Sequence, residues 1–213
     1  MTKVMGLLAV ALLAGPMGAS ATAFNITTAQ FLPGPGYGID LAEGAGTQLD
    51  VRFLTSAFSA QNFSLSAVNQ SFTFNFGTID LEEPNAHSGI KPDELDGLDI
   101  AARLTFGAPT AGVQTITATG HAVPGSISDS LVDYSIDWSP VTVLFGNGGS
   151  FQISLTDMAF AGIGTQFQTA TVTLLSLGDQ AVPSPSPVPE PGTLALLGLG
   201  LAGLGLSRRR KVA

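Results

Sequence analysis

The clearest pattern in this chain is a strict alternation of apolar and polar positions. Over Gln70–Asp80, Phe72, Phe74 and Phe76 point one way and Thr73 and Asn75 the other. That two-residue period is the mark of a half-buried strand, because successive side chains on a strand face opposite sides. Leu49, Val51 and Phe53 repeat it, with Asp50 and Arg52 assigned to the outer face. Similar runs fall at 62–68, 98–106, 112–122, 131–138, 141–145, 151–159 and 169–177. In the run 131–138, Val132, Tyr134, Ile136 and Trp138 share a face that reads as core. Clusters of Gly, Pro, Asn and Asp separate the runs at 33–38, 83–99, 107–112, 124–130 and 146–149. The runs on either side of Gly146-Asn147-Gly148-Gly149 predict a hairpin, since Gly and Asn accept the positive φ of a tight turn. No stretch of the body shows a 3.6-residue period. These features predict an all-β fold over residues 24–180: a single antiparallel β-sandwich, jelly-roll or immunoglobulin-like.

Two apolar segments lie outside that body. Residues 1–23 read as a signal peptide: Lys3, the apolar run Val4–Ala14, the break Gly15-Pro16, and small residues. Two small-x-small sites, Ala19-Ser20-Ala21 and Ala21-Thr22-Ala23, put the mature start at Thr22 or Phe24. At the other end, residues 193–206 form an uncharged apolar segment. Ser207 and the basic cluster Arg208, Arg209, Arg210 and Lys211 follow it. This reads as a short transmembrane helix stopped by cations on the cytoplasmic side. Its 14 residues fall short of the roughly 20 of a comfortable span. Before it stand a Pro/Ser linker, 181–187, and Val188-Pro189-Glu190-Pro191, where alternate prolines hold the backbone extended.

Composition narrows the chemistry. The chain has no cysteine, so a fold outside the cytoplasm must rest on its hydrophobic core rather than on disulfides. Residues 24–187 carry 15 carboxylates against Arg52, Lys91 and Arg103, a net charge of −12. Such a surface repels nucleic acid and excludes it as a partner. His87 and His121 are the only histidines, and no nucleophile elbow, zinc-protease helix or phosphate loop is present, so the chain reads as a non-enzyme without a catalytic residue.

The densest acidic stretch is Asp80–Asp99. Calcium takes six to eight oxygens, which loops between strands can supply. Asp93, Asp96 and Asp99 are the candidate ligands, although their spacing is not that of an EF-hand. Otherwise no cofactor is expected. A second group, Asp129, Asp133 and Asp137, reads as an exposed strand face. Tyr37, Tyr134 and Trp138 could stack on a sugar, but Trp138 sits on the core side of its strand.

The tail of the chain, Val188-Pro189-Glu190-Pro191, the Gly/Leu-rich span 193–206 and Arg208-Arg209-Arg210-Lys211, closely resembles the PEP-CTERM sorting signal of Gram-negative bacteria. The resemblance implies export through the inner membrane, transient anchoring there, and removal of the tail by an exosortase, a membrane-embedded transpeptidase. It also implies a cell-surface or extracellular-matrix destination linked to biofilm and exopolysaccharide. Within the body, the run 143–157 looks like the all-β ectodomains that precede such tails. The function expected is therefore a structural or adhesive matrix protein. The alternative is a carbohydrate-binding or carbohydrate-active module acting on exopolysaccharide.

Overall fold

A computed structural model describes residues 21–39, 48–83 and 89–178. The chain divides into two units, Met1–Gly178 and Asp179–Ala213, and the second lies outside the described residues. So do the sorting box at 188–191, the apolar span 193–206, the basic cluster 208–211, the linker 181–187, signal-peptide residues 1–20 and His87. Among the described residues no helix is long and apolar enough to cross a membrane.

The described part is all-β, as the alternation predicts. Twelve strands form two six-stranded sheets. One sheet is built from β1 (Thr22–Pro33), β4 (Gln61–Leu65), β6 (Asp99–Ala108), β7 (Gly112–Ala122), β8 (Tyr134–Ser139) and β11 (Met158–Phe160), in the order β11-β8-β7-β6-β1-β4. The other contains β2 (Tyr37–Gly38), β3 (Leu49–Leu54), β5 (Ser71–Leu81), β9 (Val141–Phe145), β10 (Gly149–Leu155) and β12 (Gly164–Leu177), in the order β2-β3-β5-β12-β10-β9. Every pairing is antiparallel except β2 with β3.

The inward positions of both sheets share one core. Phe24 and Phe106 of the first sheet touch Phe151 of the second, at ring-centre distances of 5.2 and 5.3 Å. Phe31 meets Phe53 and Phe76 across the same interior. Phe151 is fully buried and also contacts Phe145, so truncating it to Ala removes the centre of an aromatic cluster, at a cost of about 3–5 kcal/mol.

Several local expectations need correction, each for a physical reason. The run 151–159 is not one strand. It breaks at Thr156-Asp157, where the Asp157 carboxylate accepts the backbone N–H of Trp138 at 2.7 Å, and the chain crosses to the other sheet. Strand β8 starts at Tyr134, so Leu131 and Val132 lie in the preceding loop and are exposed; Val132 is not core. Asp50 is buried rather than outward, because the chain at 82–83 folds over it: Glu82 N–H donates to the Asp50 carbonyl, and Asp50 N–H to the Glu83 carboxylate. The alternation of β5 slips at Phe76–Gly77, where β5 itself bulges: Gln168 pairs with Gly77 and Thr169 with Asn75, so Phe76 is the extra residue, and Phe76 and Ile79 both face inward.

The strands give the folded unit two ends. One end carries Thr22, which pairs with Leu65, and the 66–70 turn, whose Asn69 N–H donates to the Leu174 carbonyl. It also carries the 109–111 and 146–148 turns and Gly178, where the described chain stops; Leu177 pairs with Gly149 beside it. The other end holds the 33–38 turn, the 89–98 segment, the 123–133 loop and the 161–163 turn.

Candidate functional site

The acidic residues gather at this second end, and the backbone there is joined by a seam of close approaches. Gly34 N–H donates to the Asp99 carbonyl at 2.8 Å and Gly36 N–H to the Gly97 carbonyl at 3.1 Å. A side chain at Gly36 would run into the carbonyl of Asp96, so glycine is required for the two segments to meet. Gly97 completes the turn with φ +71°. Tyr37 locks the seam to the first sheet: its hydroxyl donates to the Leu98 carbonyl at 2.8 Å, and the same carbonyl accepts Gly120 N–H.

Two shallow hollows flank the seam. The first, about 410 Å³, is lined by Pro35, Gly36, Asp93, Asp96 and Gly97. The second, about 430 Å³, lies on the outer face of the first sheet, where Leu32, Ala101, Thr117 and Ser139 form one cross-strand row. The short side chain of Ala101 leaves a dip, and Asp99 and Thr119 in the next row rim it. Its lining thus sets the hydroxyls of Thr117, Thr119 and Ser139 and the Asp99 carboxylate among apolar groups.

Of the calcium candidates, Asp93 and Asp96 share the first hollow and Asp99 lines the second. The structure does not bring the three together, and among the described residues no group of three or more His, Asp or Glu side chains is close enough to hold a metal ion. Several acids serve the backbone instead. Glu94 is buried and accepts Lys91 N–H at 2.7 Å, which closes the 3-10 turn Pro92–Glu94. Asp133 is also buried, not exposed on a strand face: it accepts Ser128 N–H at 2.9 Å and supports the positive φ of Ser128. Asp129 stays in the loop, bonded to the Ser130 hydroxyl, and Asp137 stands on β8 with its carboxylate 3.5 Å from His121 Nε2. That pair is solvent-exposed and lies on an open sheet face. Arg52 pairs with Glu82 at 2.7 Å, and this contact holds its guanidinium above the usual arginine range.

The aromatic trio is not a stacking platform. Tyr37, Tyr134 and Trp138 are all buried. Trp138 Nε1 donates to Gln168 Oε1 at 3.1 Å, and Gln168 is itself fully buried, donating to the carbonyls of Thr156 and Thr169. Tyr37 and Tyr134 meet hydroxyl to hydroxyl at 2.8 Å; because Tyr37 donates to Leu98, Tyr134 must donate to Tyr37. Burial raises both phenols well above the usual tyrosine range.

Sequence reasoning overlooked the glycine seam. The signal was present in Pro33-Gly34-Pro35-Gly36-Tyr37-Gly38, where glycine at every second position lets one face of an extended segment lie against another backbone. No curated protein and no solved structure was found to match the chain. Residues 187–211 do match a family model, the PEP-CTERM protein-sorting motif. The chain therefore carries a PEP-CTERM sorting motif at its C-terminus, which implies an exported protein, anchored transiently in a membrane and processed by an exosortase.

Proposed function

We propose that this protein is a non-enzymatic structural or adhesive component of the cell surface or extracellular matrix, with its two sheets acting as a single β-sandwich cargo. The observation that carries this reading is the sorting motif directly behind a folded all-β unit: the tail handles delivery, and the unit is what is delivered. Residues 1–23 serve as the leader, the linker at 181–187 presents the box, and the exosortase removes the tail. Fractionation of native cells tests the proposal. The protein should be recovered from the matrix of cells that contain the exosortase and from the membrane of cells that lack it. The same membrane fraction in both strains would sink it.

Calcium enters this reading through Asp93 and Asp96, which share the first hollow, with Asp99 on the other side of the seam. A ligand that binds only the folded state raises its stability, so melts in calcium and in chelator should differ by several degrees. Coincident melts would remove calcium from the account. The second reading, a carbohydrate-binding module acting on exopolysaccharide, is favoured by one feature, the hollow over Ala101, where Thr117, Thr119, Ser139 and Asp99 supply polar groups beside an apolar floor. Loss of exopolysaccharide binding on Thr117→Val with unchanged stability would support it; binding unaffected by that change would count against it.

A further inference from the structure

Charge is segregated along the folded unit. Among the described residues, 21–39, 56–79, 104–128, 139–156 and 158–178 contain no Asp, Glu, Lys or Arg. The strand register places those charge-free stretches over the whole end that carries Thr22, the 66–70, 109–111 and 146–148 turns, and Gly178. Asp93, Asp96, Asp99, Asp129 and Asp137 are all exposed and lie toward the opposite end. Both points where the chain enters and leaves the fold are therefore on the uncharged end. Apolar side chains stand exposed there too, Val68, Val113 and Leu144.

We propose that the uncharged end is the face this unit turns to an anionic lipid surface while its tail is anchored, with the acidic end held outward. The inference rests on the anchoring that the sorting motif implies. Fourteen residues separate Gly178 from the apolar span that starts at Thr193, a reach of about 43 Å when extended. β12 alone is 14 residues, about 45 Å long. A tether about as long as the unit itself leaves it free to lean over or turn. Leaning brings the exposed aspartates within a Debye length, roughly 10 Å at 0.1 M salt, of anionic headgroups, where they are repelled. The uncharged end meets no such repulsion, and cleavage after Ala21 would add an α-ammonium to it at Thr22. Asp179, just past Gly178, is the one acid next to this end in sequence.

Because the chain lacks cysteine, Leu144→Cys and Leu131→Cys each create a single labelling site, one on either end, at side chains already exposed. The full-length protein is placed in vesicles of phosphatidylcholine, or of phosphatidylcholine with phosphatidylglycerol, with acceptor dyes on the headgroups. Energy transfer should be stronger from position 144, and its advantage over position 131 should grow about twofold on anionic vesicles and fall back in high salt. In the background D93N/D96N/D99N the dependence on lipid charge should shrink, with the ratio on phosphatidylcholine unchanged. An advantage equal on both lipids, set by the tether alone, would overturn the proposal, as would stronger transfer from position 131. Protein that fails to float with either vesicle would instead overturn the anchoring beneath it.

Discussion

At the scale of single residues, the two tyrosines show how position in a hydrogen-bond chain sets the cost of losing it. Tyr134 donates to Tyr37, and Tyr37 donates to the Leu98 carbonyl. Tyr134→Phe removes one donor and leaves Tyr37 bonded, for about 1 kcal/mol. Tyr37→Phe strands the buried Tyr134 hydroxyl without its acceptor, and should cost more, about 1–3 kcal/mol. Denaturant melts of the two variants test that order, and the reverse order would contradict the assigned direction of the bonds. Both phenols are raised in the folded state above their unfolded value of 10.0, chiefly by burial. Their contribution is thus full below about pH 10 and is lost above it, where the unfolded chain releases protons that the fold retains. Stability should fall more steeply above pH 10 in the native protein than in the double Phe variant. The burial of Trp138 was legible from its strand face. The burial of Asp50 was not, because it depends on residues 82–83 folding back from another strand.

Strands as elements were mostly legible, and the errors trace to bulges. β7 and β9 have the bounds that alternation predicts, and the 146–148 turn joins β9 to β10 with Gly146 and Gly148 at φ +51° and +76°. β1 was hidden because its inward residues Phe24, Ile26, Ala29 and Phe31 are spaced two, three and two apart. The register shifts around Ile26 insert the extra residue. The expected signal-peptide boundary at Ala23 also cut into it. Thr22 is buried and paired with Leu65, and Ala23 is paired with Ser64. A signal-peptide cut after Ala21 would leave the strand whole and one after Ala23 would remove two paired residues, so N-terminal sequencing of exported protein should read Thr22 rather than Phe24. In β5, a side chain on Gly77 would strike the Leu54 carbonyl on the neighbouring strand. Gly77→Ala should destabilise the unit by about 1–3 kcal/mol in a thermal melt, and a neutral result would mean the bulge is looser than described.

On the scale of the whole molecule, alternation revealed the class of fold but not its assembly. Nothing in the period of a strand says which sheet it joins, and the chain passes between sheets at β1–β2, β3–β4, β4–β5, β5–β6, β8–β9, β10–β11 and β11–β12. The acidic end was visible only as composition. Its geometry, with Asp93 and Asp96 on one side of the glycine seam and Asp99 on the other, required the pairing of 34–36 with 97–99. The tail was legible outright, because a proline box, an uncharged span and a basic stop form a linear signal that needs no folding to be read.

In this reading a folded β-unit is delivered by a tail that is then removed. Intact-mass analysis of the protein from its native cells, with and without the exosortase, tests it most directly. The account predicts a species that begins at Thr22 and, only when the enzyme is present, lacks the chain beyond about Pro191. Retention of Leu194–Ala213 in both strains would contradict it and leave a permanently tethered domain.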